Sequence, residues 1–153
     1  MKIYQFFIHL ILFTATALAG PHFQSTPVAS ITSSGALSVS FDEAGLGKTN
    51  VDYELDATGS ADFACFNKAG KQPPAANKET VAVTVVAQGS FQPKNGRVRA
   101  TITGPVPTAG SFSCPPGFQI LRLVEVTYSG ILLCDTTNDV CASPTPDPIH
   151  TTF

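Results

Sequence analysis

The chain has 153 residues, a formal net charge of −2 and only 13% charged residues. No basic block stands out, which excludes the electrostatic footprint of a nucleic-acid or anionic-membrane binder. Abundant Val, Thr, Ser, Gly and Pro at this low charge reads as a β-rich extracellular protein rather than a disordered one.

Residues 1–19 read as a signal peptide. The segment "MKIYQFFIHLILFTATALAG" carries Lys2, an apolar run from Phe6 to Phe13, and the triplet Ala17-Leu18-Ala19 before Gly20. That is the layout of a secretory signal cleaved after Ala19, and its apolar run falls short of the ~20 residues a membrane span needs. The C-terminal "SPTPDPIHTTF" lacks the hydrophobic tail of a lipid anchor. The mature chain is therefore expected to be secreted, with no membrane span.

Residues 20–35 are rich in Pro, Ser and Thr and are expected to form an extended N-terminal arm. A single β domain is expected over 36–142. It opens with a strand from Ala36 to Phe41, followed by the long alternation "NVDYELDATGSADFAC". Val51, Tyr53, Leu55, Ala57, Ala61, Phe63 and Cys65 hold odd positions, with Asp52, Glu54, Asp56, Thr58, Ser60 and Asp62 between them. Strict alternation marks a half-buried strand. At ~3.3 Å per residue a straight strand of this length is too long for a small domain, so a bend is expected near Thr58-Gly59-Ser60, with a kink at Gly59 favoured over a hairpin.

After the loop Asn67–Lys78, a strand is expected over Thr80–Gln92 with apolar odd positions. Asn95-Gly96 is a two-residue hairpin signal. Its register would set Phe91 opposite Ala100 and Ser90 opposite Thr101. The proline-bearing loop Gly104–Gly117 follows, then a strand over Phe118–Asp135. There the even positions Ile120, Val124, Val126, Tyr128, Leu132 and Cys134 form the better apolar face. Leu121, Leu123, Ile131 and Leu133 fill the odd side, as in a strand covered on both faces. Residues 143–153 are expected to be a disordered tail. Several β segments and no amphipathic helix give an all-β class, an antiparallel β-sandwich or an open β-barrel.

Four cysteines in an exported chain imply two disulfides. Cys134 and Cys141 flank the turn-rich "DTTNDV" and form the local pair, which leaves Cys65–Cys114. Zinc would want histidines nearby, and His22 and His150 lie near the two ends of the mature chain.

Asp52, Glu54 and Asp56 form a carboxylate comb along one strand face, and Asp135 and Asp139 sit in a turn. These five are the metal candidates. A ridge on one strand cannot wrap calcium, and the turn lacks an EF-hand's spacing, so no metal or cofactor is expected. The comb reads instead as a solvated face, paired with Arg97 and Arg99 if those strands are neighbours. Lys68, Lys71, Lys78, Lys94, Arg97 and Arg99 read as scattered charge, since no aromatic interleaves with them. No central histidine, G-x-S-x-G or free thiol supports nucleophilic catalysis. No catalytic residue is expected. Phe66, Phe112 and Phe118, on or near loops, are candidates for an apolar patch.

"KTNVDYELDATGSADFACFNKAGKQPPAANKE", with "PKNG" and "FSCPPGFQ", resembles small secreted hypothetical β-rich proteins of filamentous fungi and actinobacteria over about residues 45–135. The resemblance implies export and a β-rich fold and carries no assigned activity. The expected function is a secreted, non-enzymatic, effector-like binding protein acting at a cell wall or host surface. Its partner would be cell-wall polysaccharide or a host surface protein. A structural cell-wall or spore-coat component is the alternative. A secreted glycoside hydrolase would require Asp42 or Glu43 to face Asp62 or Glu125 across a cleft.

Overall fold

The computed structural model describes residues 20–67, 69–70, 77–117 and 120–153. The segment expected as a signal peptide, residues 1–19, and Lys68, Lys71 and Phe118 lie outside these residues. The chain forms two antiparallel sheets that face each other without closing into a barrel. In the first sheet, β3 (Leu37–Ala44) pairs with β6 (Arg97–Thr103) on one side, and with β1 (His22–Phe23) and β2 (Val28–Ile31) on the other. The segment expected as an extended arm thus supplies two short strands. The second sheet runs β5 (Lys78–Phe91), β4 (Val51–Phe66), β7 (Ile120–Asp135), then β8 (Val140–Ala142), with β9 (Ile149–Thr152) also paired to β7.

β4 is the long alternating strand, and it runs 16 residues without a hairpin. Its odd positions Val51, Tyr53, Leu55, Ala57, Ala61 and Phe63 enter the core between the sheets. They meet Leu37, Val39 and Phe41 of β3, and Val98 and Ile102 of β6. Pairing with β5 is unbroken from Val51↔Phe91 to Ala64↔Lys78. Pairing with β7 shifts register twice, between Asp56 and Thr58 and between Asp62 and Phe63. Each shift inserts an extra β7 residue, and such bulges bend a strand and increase its twist. Accommodation of the long strand therefore lies in the partner's bulges, on either side of Gly59, rather than in a break of β4.

The same bulges explain why β7 looked apolar on both faces. Val126 and Tyr128 are buried at even positions. Past the bulge at Gly130, Ile131, Leu133 and Asp135 are buried at odd ones. Leu132, expected inside, is 38% exposed. A one-residue insertion exchanges the two faces of a strand, so a single-phase reading of β7 fails.

The Asn95-Gly96 turn forms as its chemistry requires, with φ of 53° and 72° at its two central residues. The ladder expected beyond it does not. Only Lys94 and Arg97 exchange backbone hydrogen bonds, and then the strands part company. Phe91 pairs with Val51 and Ala100 with Phe41, in different sheets. Pro93, which has no N–H to donate, stands where a longer ladder would begin.

The C-terminal segment is ordered, contrary to expectation. Asp147 accepts hydrogen bonds from the bulge N–H groups of Gly130 (3.0 Å) and Ile131 (2.9 Å), and β9 then pairs with Glu125–Tyr128. Upstream, Ala29 N–H donates to the Thr145 carbonyl and Thr145 N–H to the Pro27 carbonyl, which ties the tail to the edge of the first sheet. Two disulfides complete the frame, Cys65–Cys114 and Cys134–Cys141, the second directly across the β7–β8 ladder.

β7 lies close against β4 at Gly59, where an added Cβ would lie 2.0 Å from the Thr127 carbonyl oxygen. That oxygen belongs to a central ladder and cannot swing away. Gly59→Ala is expected to destabilise the protein by about 1–3 kcal/mol, the usual cost of overpacking. Gly47→Ala, with no atom within 4 Å of the new methyl, should leave the denaturation midpoint nearly unchanged. Equal midpoints for the two variants in chemical unfolding would refute the account.

Candidate functional site

The carboxylate comb lies along the outward face of β4. Its neighbours on that face are Ser90, Gln88 and Val86 of β5, with Cys134 and Leu132 of β7. Glu54 accepts a hydrogen bond from Gln88 Nε2 at 2.6 Å. Burial, and then the adjacent Glu54, raise the pKa of Asp56. The expected pairing with Arg97 and Arg99 does not occur, because those residues are in the other sheet. Asp135 turns inward and caps its own turn: Oδ1 accepts from the N–H groups of Thr137 and Asn138, and Oδ2 from Asn138 Nδ2. Asp139, at φ 57°, belongs to the same turn. Among the described residues, no group of three acidic, histidine or cysteine side chains is placed to hold a metal ion.

A more suggestive arrangement stands where the chain crosses between sheets. Phe91 ends β5 and Arg97 begins β6, and the turn between them borders an open hollow of about 750 Å3. Phe91, Gln92, Lys94, Asn95, Arg97, Val98 and Arg99 line it. Arg97 donates to Asp42 through Nε (2.5 Å) and Nη2, and Arg99 Nε donates to the same carboxylate at 3.0 Å. The Arg97 hydrogen bond is the main cause that holds Asp42 down to about 2, with Arg99 adding to it against the opposing effect of burial. One carboxylate thus offsets one of two guanidinium charges. The Arg99 side chain remains 69% exposed, and Lys94, at the rim, forms no ion pair among the described residues.

Three of the six cations read as scattered therefore gather at one hollow, and Phe91 lines it with them, an aromatic neighbour that the spacing along the sequence did not reveal. Its ring also contacts Phe41 and Tyr53, at 6.0 and 5.9 Å, so it serves core and hollow together. Lys78 sits at the opposite end of β5. Of the phenylalanines expected on loops, Phe66 is buried beneath Arg122, whose guanidinium carbon lies 5.3 Å from the ring centroid. Phe112 packs against the core.

Sequence reasoning missed a second polar group. Glu43 of β3, Tyr53 of β4 and Asp135 of β7 meet inside the sandwich, with Glu43 and Asp135 fully buried. Tyr53 donates its hydroxyl proton to Glu43 Oε2 at 2.7 Å, while Oε1 has no partner among the described residues. Burial pushes Glu43 up to about 7, opposed by the Tyr53 hydrogen bond and reinforced by the nearby Asp135 carboxylate. The available signal was phase: Leu37, Val39 and Phe41 point inward, and Glu43 continues their alternation. Asp42 and Glu43 lie on β3, whereas Asp62 and Glu125 are register partners within the second sheet.

Comparison of the chain with protein-family models, curated proteins and solved structures finds no match.

The folded protein binds the Glu43 proton more tightly than the unfolded chain does. The stability it contributes is therefore present below the ordinary pKa of 4.5 and lost as pH rises through about 7. Asp42 acts in the opposite sense, contributing stability above its ordinary pKa of 3.8 that is lost as pH falls through about 2. Denaturation midpoints should peak near pH 4–5 and then decline toward pH 8, roughly 3 kcal/mol being at stake for a fully buried Glu43. Glu43→Gln keeps an oxygen for Tyr53 and offers Asp135 an N–H donor. It should flatten the decline and exceed the parent in stability at pH 8. A parallel decline in the variant would show that another group controls it.

Proposed function

We propose that this is an exported, non-enzymatic, effector-like protein that binds acidic polysaccharide at a cell wall or host surface through the hollow at the sheet-crossing corner. The observation that carries the reading is that Arg99, Lys94 and Phe91 line one open concavity. Guanidinium and ammonium groups suit the carboxylates of a uronic-acid polymer, and Arg in particular offers a planar fork. An aromatic wall suits the apolar face of a sugar ring, and Gln92 and Asn95 supply amide donors and acceptors for hydroxyls. A binding loop held by a rigid β frame is a common arrangement.

A structural cell-wall or coat component is the second reading, favoured by the long open edge of β5. A hydrolase gains no support from Glu43 and Asp135, since both are sealed from solvent and no glycosidic bond can reach between them.

The test is a pull-down of the oxidised mature protein on insoluble acidic and neutral wall polysaccharides across a salt series. Binding should favour the acidic polymer and weaken with salt, and the double variant Lys94→Ala/Arg99→Ala should reduce it at least about tenfold. Equal retention on neutral polymer, or full retention by the double variant, would overturn the proposal.

A further inference from the structure

The two sides of the sandwich differ in how their edges are finished. On one side the C-terminal segment is hydrogen-bonded to the β2 edge through Ala29 and Thr145, and β8 and β9 flank β7. On the other side β5 pairs, among the described residues, only with β4, along 14 residues and without a bulge. The loop Ala109–Phe112 borders a hollow with the early β5 residues Glu79–Ala82, without a backbone hydrogen bond to them. No backbone hydrogen bond among the described residues reaches the outer edge of β5. Natural edges of this length are usually blunted by charge, proline or a bulge. From Thr80 to Phe91, "TVAVTVVAQGSF", β5 has none of these.

We infer that β5 is an interface, and that its occupant is the β5 of a second copy of this chain, paired antiparallel about a two-fold axis at Val86. Self-complementarity argues for this occupant. With Val86 opposite its own copy, Thr84 falls opposite Gln88 and Ala82 opposite Ser90 on the outward face. On the inward face Val85 meets Ala87 and Val83 meets Gly89. Apolar residues meet apolar or small ones and polar residues meet polar ones, so the pairing satisfies side-chain matching on both faces.

Burial points the same way. The inward residues Val81, Val83, Ala87 and Phe91 are only half-buried, although β4's are nearly all enclosed, and Val86 is 56% exposed. A neighbouring strand would cover them.

Charge permits the pairing. The acidic comb sits on β4, one strand in from the edge. Two copies would hold their combs about 14 Å apart, three strand spacings, beyond the ~8 Å screening length at physiological ionic strength. A two-fold pairing uses up the open edge and stops at a dimer.

The inference is independent of polysaccharide binding and is tested separately. Sedimentation velocity on the oxidised mature protein, over about 1–200 µM, should show a concentration-dependent dimer. Val86→Lys places a charge at the two-fold axis without touching the core and should raise the dimer dissociation constant at least about tenfold. Ala82→Lys, also exposed, serves as the second variant should the first fold poorly. Hydrogen exchange should show β5 amides gaining protection with concentration, while β6 amides do not. A monomer throughout the range, an open-ended polymer, or a dimer indifferent to both substitutions would overturn the inference.

Discussion

The structure depends on one constraint: β4 must remain a continuous strand while its two neighbours follow different paths beside it. β5 matches it residue for residue, so that side of the sheet keeps a single phase from end to end. β7 absorbs the bend by inserting two extra residues. An insertion leaves backbone N–H groups without a ladder partner, and a buried donor left unpaired is costly. Asp147 meets the need at Gly130 and Ile131, which draws the last residues of the chain back onto the sheet. Once there, β9 pairs with β7 and Thr145 is bound to the β2 edge. The ordered tail is thus a consequence of the bulge.

This dependence decides what the sequence could reveal. Side-chain alternation is local, so the inward face of β4 was legible down to single residues such as Tyr53, Leu55 and Phe63. The Asn95-Gly96 turn was legible for the same reason, since positive φ at two residues is a property of the turn itself. β7 was not read in this way, because its bulges invert the phase: Gly130, at φ 62°, is the glycine signal of the second bulge in "TYSGILLC", but the first, near Val124, has no such mark. Ladder partners beyond the turn were hidden as well. Phe91 and Ala100 suit each other as neighbours, but Ala100 joins Phe41 across a sequence separation that no local pattern encodes. The proline-rich tail read as disordered because its order comes from Asp147 meeting a bulge, a tertiary contact.

The polar cluster inside the sandwich follows similar logic. Glu43 is carried inward by the phase of β3, and Asp135 by the phase of β7 after its second bulge. Neither strand alone would bring two carboxyl groups together. The tyrosine hydroxyl satisfies one Glu43 oxygen, while burial, reinforced by an Asp135 engaged by its own turn, shifts the Glu43 carboxyl toward its protonated form. The corner cations were legible as residues but not as a site. What gathers them is the passage from β5 to β6, where Arg97 and Arg99 share the Asp42 carboxylate and Lys94 has no ion pair among the described residues.

That passage also relates the two surfaces of interest. Lys94 and Arg97 close a turn with a single bridge, so β6 departs at once to the first sheet. Its departure opens the hollow beneath Phe91 and deprives β5 of the neighbour that a normal hairpin would give it. On the opposite side the tail fills the corresponding vacancy beside β2. The hollow and the edge of β5 left unpaired among the described residues therefore lie on the same side of the sandwich for one reason: the chain spends its closing segment on the side where the β7 bulge demanded an acceptor.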